Sequence, residues 1–215
     1  MTPSLLDLLS PPRNRTPDRI YGVVTGIVTN NQDPETLGRV RVRLPWLSEE
    51  DESFWARIAT PMAGTERGAF FLPEVDDEVL VAFEHGDVRF PYVLGGLWNS
   101  QQVPPETNSD GENNIRVIKS RSGHLIRLQD KDGEEKIEII DKSGKNSVVI
   151  STADNTITVS ADADITIQSS SGKLKLSGNG IEITSQADVK IEAGANMDLK
   201  ASAQLNAKGQ MINLN

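Results

Sequence analysis

Apolar positions follow two patterns along the chain. From Ile157 onward they come in i, i+2 pairs: Ile157/Val159, Ile165/Ile167, Leu174/Leu176, Ile181/Ile183, Val189/Ile191, Met197/Leu199, Leu205/Ala207 and Ile212/Leu214. Successive pairs begin 8, 9, 7, 8, 8, 8 and 7 residues apart. Alternate side chains of a strand share a face, so both members of a pair point one way. The residue between them (Thr158, Thr166, Lys175, Glu182, Lys190 or Asp198) then points to water. Gly and small polar residues fill the gaps, which predicts short strands joined by turns. Upstream, Ile115/Val117, Ile126/Leu128, Ile137/Ile139 and Val148/Ile150 repeat the pair at a spacing of 11.

A strand with two or so inward side chains cannot offset the entropy of ordering it. Stacked units share a continuous core, which is the logic of β-helices and solenoids. Two windings fit the period. A single chain gives a short triangular helix, whereas three chains around one axis, each supplying one side, give a longer and stiffer prism. The pattern leans to three chains.

The first half is built differently. "YGVVTGIVTN", "GRVRVRLPW", "FWARIATPM", "DEVLVAFEHG" and "PYVLGGLW" are β-branched or aromatic runs bounded by Gly, Pro, Asn and Asp. Five such strands in a short span predict a small closed barrel, with aromatic rings enough to fill its interior. Helix is minor: "SLLDLLS" near the start predicts a turn or two. All ten aromatics lie between Tyr21 and Trp98, and all eleven prolines lie at or before Pro105. The shift marks a boundary, and "NSQQVPPETNSDGENN" has a connector's content. The expected divisions are 1–19, an N-terminal extension; 20–98, the barrel; 99–114, a linker; and 115–215, the repeat.

Charge and composition narrow the function. The chain of 215 residues carries 31 acidic against 22 basic side chains, a net charge of −9, which opposes a phosphate-rich partner. No cysteine is present, which excludes disulfides and thiolate metal sites. No run reaches the length of a membrane span, and the N-terminus lacks the basic and apolar regions of a secretory signal.

Several segments together resemble a known family. "LGRVRVRLPWL" (37–47), "WARIATPMAG" (55–64), "GAFFLPEVDDEVLVAFEHGD" (68–87) and "PYVLGGLWN" (91–99) are similar to the OB-fold domain of contractile-tail spikes. These are the phage baseplate assembly protein V and VgrG-like spikes. "IKSRSGHLIRLQDKDGEEKIEIIDKSG" (118–144) is similar to the start of the spike's β-helix. The resemblance implies an all-β chain: an N-terminal OB-fold barrel followed by a C-terminal triple-stranded intertwined β-helix, formed as a homotrimer. It implies a structural, non-enzymatic needle at the centre of a baseplate, pushed through a target membrane when a sheath contracts. It implies assembly in the bacterial cytoplasm without a signal peptide, as part of a phage-like or extracellular contractile particle.

Departures from the family pattern carry expectations too. Only about 20 residues precede Tyr21, so the hub is expected to be a separate protein, with Leu5, Leu6, Leu8 and Leu9 docking on it or on the tube, the alternative being that they fold back on their own barrel. The linker leaves no room for a lysozyme domain, and no His-x-His tip motif is present. A blunt end at "GQMINLN" calls for a cap, so a separate PAAR-type tip protein is expected on Ile212, Asn213, Leu214 and Asn215. The expected shaft core is Ile157, Val159, Ile165, Ile167, Leu174, Leu176, Ile181, Ile183, Val189, Ile191, Met197, Leu199, Leu205, Ile212 and Leu214. No cofactor, metal or nucleic acid is expected.

Candidate chemistry is sparse. Arg39, Arg41 and Arg43 alternate along one strand face, with Val40, Val42 and Leu44 opposite. An OB fold could use such a face on single-stranded nucleic acid. From Ile20 to Trp98, however, six basic residues stand against thirteen acidic ones, which favours a solvated face or a salt-bridged contact in the trimer. His85 and His124 lack companion ligands and read as turn residues. "DKDGEE" (130–135) lacks the ligand spacing of a calcium loop and reads as a hairpin turn; "EEDES" (49–53) reads as a solvated loop. The enzyme reading, a single-chain β-helix acting on polysaccharide, finds no aromatic residue in the repeat for sugar stacking and no segregated carboxylate cluster.

Overall fold

The computed structural model describes residues 19–213, which comprise strands, turns and one short 3-10 turn at Glu84–Gly86. The chain divides into two compact units, Met1–Ala163 and Asp164–Asn215.

In the first unit, residues 24–96 form a barrel. Its strands are β1 (Val24–Asn30), β2 (Arg41–Arg43), β3 (Arg57–Ile58), β6 (Glu78–Phe83) and β7 (Pro91–Gly96), in the order β2-β1-β6-β7-β3. A small hairpin, β4 (Ala63–Gly64) and β5 (Arg67–Gly68), stands beside them. The two outer strands meet where Val40 bridges Ala56: the Val40 N–H donates to the Ala56 carbonyl at 3.1 Å, and the Ala56 N–H donates back at 2.7 Å. The sheet therefore has no long free edge here. Gly26 lets β1 pass between β2 and β6, since a Cβ there would lie 3.2 Å from Leu44 and 3.3 Å from Val81.

Strand alternation sets the core. On β6, Val79, Val81 and Phe83 turn inward while Glu78, Leu80 and Ala82 turn out. With Val28, Val40, Val42, Leu44, Ala56 and Val93 they form the buried cluster. Valines thus fill the barrel, which corrects the expectation that aromatics would; Phe83 is the one aromatic in that cluster. A barrel of short strands has interior room for β-branched side chains rather than rings. The rings lie outside, where the Arg41 guanidinium stacks over Trp55 at 5.0 Å and that of Arg57 over Tyr92 at 5.5 Å.

The connector is pinned rather than loose. The Asn99 amide donates to Glu78 Oε2 at 2.7 Å, the Gln102 amide donates to the Asp76 carbonyl at 3.1 Å, and Glu106 pairs with Arg127 at 3.1 Å.

Beyond it, the 11-residue spacing becomes an antiparallel meander within one chain: β8 (Ile115–Lys119), β9 (Leu125–Gln129), β10 (Lys136–Ile140), β11 (Ser147–Ser151) and β12 (Thr156–Ser160). Positive-φ residues close its turns, among them Gly123, Gly133, Gly144 and Asn155. The second unit, described to Asn213, contains no strand and makes no backbone–backbone hydrogen bond among its described residues.

Candidate assembly surface

Register decides which apolar residues of the meander share a face. Leu128 faces Ile137, Ile137 faces Ile150, and Ile150 faces Ile157. In the next row Ile118 faces Ile126, followed by Ile139, Val148 and Val159. The pairs from Ile126/Leu128 to Ile157/Val159 therefore lie on one face, as their spacing requires. Ile115/Val117 does not: Ile115 pairs with Gln129 and Val117 with Arg127, on the opposite face. On β8 it is Ile118, beside Arg116, that joins the apolar rows. A one-residue offset moves a whole strand's pattern to the other side, and the near-continuous run "IRVIK" offers two readings.

This face is open. Val148 is half-buried, and its other members range from Ile150, 39 % exposed, to Ile157, 72 %. A shallow basin runs along it past Ile118, Ile126, Ile139, Val148 and Val159, and Ser120, His124, Asp141 and Asn146 rim one end. The opposite face is mixed and more covered: Ile115, Val117, Leu125, Ile140 and Val149 are half-buried on it beside Arg127, Lys136 and Glu138. There the Glu138 carboxylate is buried, Lys136 Nζ lies 3.0 Å from it and Arg127 3.6 Å. Arg127 in turn pairs with Glu106 of the connector.

In the second unit every described residue is exposed. Of the expected shaft core, Ile165, Ile167, Leu174, Leu176, Ile181, Ile183, Val189, Ile191, Met197, Leu199, Leu205 and Ile212 are there, from 47 % exposed at Met197 to 72 % at Leu199. So many apolar side chains repeated along one segment far exceed the scattered exposure that needs no explanation. Asn213 is also exposed. Leu214 and Asn215, with Leu5, Leu6, Leu8 and Leu9, lie outside the described residues.

The arginine face is occupied by the barrel's own carboxylates. Asp33 accepts hydrogen bonds from Arg39 Nε and Nη2, both at 2.8 Å, and from the backbone N–H groups of Glu35, Leu37 and Arg39. The Arg39 guanidinium and those amides hold the Asp33 carboxyl well below the usual range, and Asp33 raises Arg39 in return. Arg41 pairs with Glu52 at 3.0 Å and lowers that carboxyl too. Arg39 and Arg41 thus pair with carboxylates of their own barrel rather than forming a free basic track. Glu52 and the following Ser53 fasten onto β2: the Val42 N–H donates to Ser53 Oγ at 3.1 Å. That end of "EEDES" is therefore structural rather than a merely solvated loop.

The remaining candidates are turns. His85 has φ 49° in the short turn between β6 and β7, and its carbonyl accepts from Arg19 at 2.9 Å. His124 Nδ1 accepts the Lys142 N–H at 3.3 Å. "DKDGEE" closes the β9–β10 hairpin, with Lys131 Nζ 2.6 Å from Glu134. Among the described residues no group of three His, Cys, Asp or Glu side chains is placed to hold a metal ion, and no helix is long and apolar enough to cross a membrane.

Fold and surface together define a class: a small closed barrel leading into a long segment whose apolar residues have no partners within the chain. Residues 24–98 match the family described as the type VI secretion system/phage-baseplate injector OB domain. The chain is also similar to spike proteins of that secretion system. Spike protein VgrG1a of Pseudomonas aeruginosa is 28% identical over 145 residues, covering 60% of this chain and 23% of that protein. VgrG5 of the same organism is 31% identical over 141 residues, covering 59% and 18%. VgrG3 of Vibrio cholerae is 35% identical over 75 residues, covering 33% and 7%. The match spans less than a quarter of each of these relatives. The resemblance to VgrG-like spikes read from the sequence is thereby shown.

Proposed function

We propose that this chain is the spike of a contractile injection machine and acts mechanically as a homotrimer. In this reading residues 164–213 wind with two other copies into a shaft, and the apolar face of the meander packs against the same face of its neighbours. The observation that carries the reading is the row of exposed i, i+2 apolar pairs on a segment with no backbone–backbone hydrogen bond among its described residues. Winding with other copies supplies both missing partners at once, dry neighbours for the apolar pairs and ladder bonds for the backbone. The injector OB family of residues 24–98 and the VgrG spike relatives supply the setting.

A separate hub at the N-terminal side, docked through Leu5, Leu6, Leu8 and Leu9, belongs to this proposal. So do a PAAR-type tip at Ile212–Asn215 and passage through a target membrane on firing. No catalytic step is part of it.

The test is the molar mass by light scattering after size exclusion, with the same sample run unboiled in detergent. A mass near three times 23.5 kDa that resists detergent is the expected result. A folded species at 23.5 kDa overturns the trimer and reopens the single-chain β-helix enzyme reading.

A further inference from the structure

Barrel and meander belong to one compact unit, and the connector between them is tied at both ends. At the barrel end the Asn99 amide donates to Glu78 Oε2 at 2.7 Å and the Gln102 amide to the Asp76 carbonyl at 3.1 Å, while the Glu78 N–H donates to Gln102 Oε1 at 3.4 Å. At the meander end Glu106 Oε1 accepts from Arg127 Nη2 at 3.1 Å. Only Val103, Pro104 and Pro105 lie between the two ties. Each proline fixes its own φ and restricts the residue before it to extended backbone, so this span has little freedom to bend.

We infer that Arg127 is a positioning residue that clamps Glu106, making the connector a brace that holds barrel and meander in one orientation rather than a hinge between them. Register places Arg127 in the row Val117, Arg127, Glu138, Val149 on the more covered face of the meander. Its guanidinium divides between two elements. Nη2 goes to Glu106 of the connector at 3.1 Å, while Nη1 stays 3.6 Å from Glu138 Oε2 on β10. The shorter contact thus leaves the sheet, and both Arg127 Nε and Glu138 Oε2 are buried without a hydrogen-bond partner. Lys136 Nζ lies 3.0 Å from Glu138, so two carboxylates meet two cations and the cluster is neutral. Stability alone does not call for this arrangement, because apolar residues of similar volume often replace a buried ion pair without loss. Direction does call for it: the rigid fork of an arginine reaches two carboxylates at set angles.

Shielding separates this tie from the other contact between barrel and meander. The side chains of Arg127 and Glu106 are 29 % and 32 % exposed, whereas those of Arg121 and Glu74, 2.8 Å apart, are 82 % and 46 % exposed. An exposed pair is screened and holds position weakly. The clamp lies within one chain and needs no second copy. Its use, passing thrust from barrel to shaft without bending at the connector, rests on the spike reading above.

The experiment is a distance measurement between two nitroxide labels in the full chain by pulsed electron–electron resonance. The chain has no cysteine of its own, so Thr25→Cys on β1 and Asp132→Cys in the β9–β10 turn, both exposed, take the labels. Labelled chains are mixed with an excess of unlabelled ones before assembly, and light scattering and circular dichroism are run on every sample. One narrow distance is expected in the labelled parent. Arg127→Met would strand the buried Glu138, so the deciding variant is Glu106→Ala, which leaves the cations and Glu138 of the sheet in place. It is expected to broaden the distribution with the β spectrum and the mass unchanged, whereas Glu74→Ala is expected to leave the distribution narrow. A broad distribution in the parent, an unchanged one in Glu106→Ala, or equal broadening from Glu74→Ala overturns the clamp. So does a Glu106→Ala chain that loses its β spectrum, because the contact then holds the meander together rather than positioning the connector. A monomeric mass with the expected distributions overturns the spike reading and leaves the clamp standing.

Discussion

Asp141 shows how single side chains shape this protein. It closes the turn from β10 to β11 by accepting from Ser143 Oγ at 2.8 Å and from the Asn146 amide at 3.0 Å. The Ser143 hydroxyl is the main cause that lowers its carboxyl from the ordinary 3.8 to about 2. A lowered carboxylate stabilises the fold fully above its ordinary value and ceases to do so as pH falls through the folded one. The turn is therefore expected to hold at pH 5 and to loosen between about pH 4 and pH 2. Carboxyl chemical shifts followed through an acid titration check this, and an Asp141 midpoint near the ordinary value would refute it. Asp87 follows the same course, because Arg89 brings it down to about 2. In the core, Val81→Ala removes two carbons from a fully buried position. Lost transfer energy plus the cavity predict a cost of about 2–3 kcal/mol, read as a lower midpoint of chemical unfolding without a change in oligomer mass.

Among the elements, the meander is decisive because its two faces have separate duties. The mixed, more covered face holds the Arg127–Glu106 tie to the connector, while the face of Ile126, Ile139 and Val159 stays largely exposed in the single chain. Ile139→Asp lies on the open face, 52 % exposed. It is expected to leave the strands intact, with an unchanged far-ultraviolet circular dichroism spectrum per chain, and to lower the assembled mass or its resistance to detergent. Val149→Asp, half-buried on the opposite face, is the comparison. Equal effects on assembly from the two would show that the apolar face has no special part in it.

For the whole molecule, the proposal turns on residues 164–213. Among the described residues they make no backbone–backbone hydrogen bond, and only the Ala187 N–H finds a side-chain acceptor, Ser185 Oγ at 3.2 Å, so in a lone chain most of their amides exchange with water at nearly intrinsic rates. In the wound shaft they are expected to exchange more slowly by several orders of magnitude and to lose protection together with the assembled mass. Hydrogen exchange followed by mass spectrometry at increasing denaturant reads both. Fast exchange throughout this segment in a native oligomer would place the association elsewhere, at the barrels or the meander.

How far the sequence could be read varied with the range of the interaction. The barrel strands were legible because Val40, Val42 and Leu44 alternate with arginines, a period-2 signal that needs no knowledge of partners. The identity of the barrel filling was not, because alternation marks a face as inward without saying whether rings fit the space it encloses. Phe70 and Phe71 break the alternation, and both lie exposed.

By itself, the sequence determined the β character, the change of composition near residue 105, the similarity of the barrel to injector OB domains and the i, i+2 apolar pairs along the repeat. All four follow from local periodicity or from motifs contiguous in the chain. Tertiary structure decided that the 11-residue spacing folds back as a meander, that Ile118 rather than Ile115/Val117 joins its apolar face, and that the strand arginines neutralise Asp33 and Glu52 of their own barrel. Each of these depends on which distant residue comes opposite, and strand register is fixed by pairing across space, where one residue of slip exchanges the two faces.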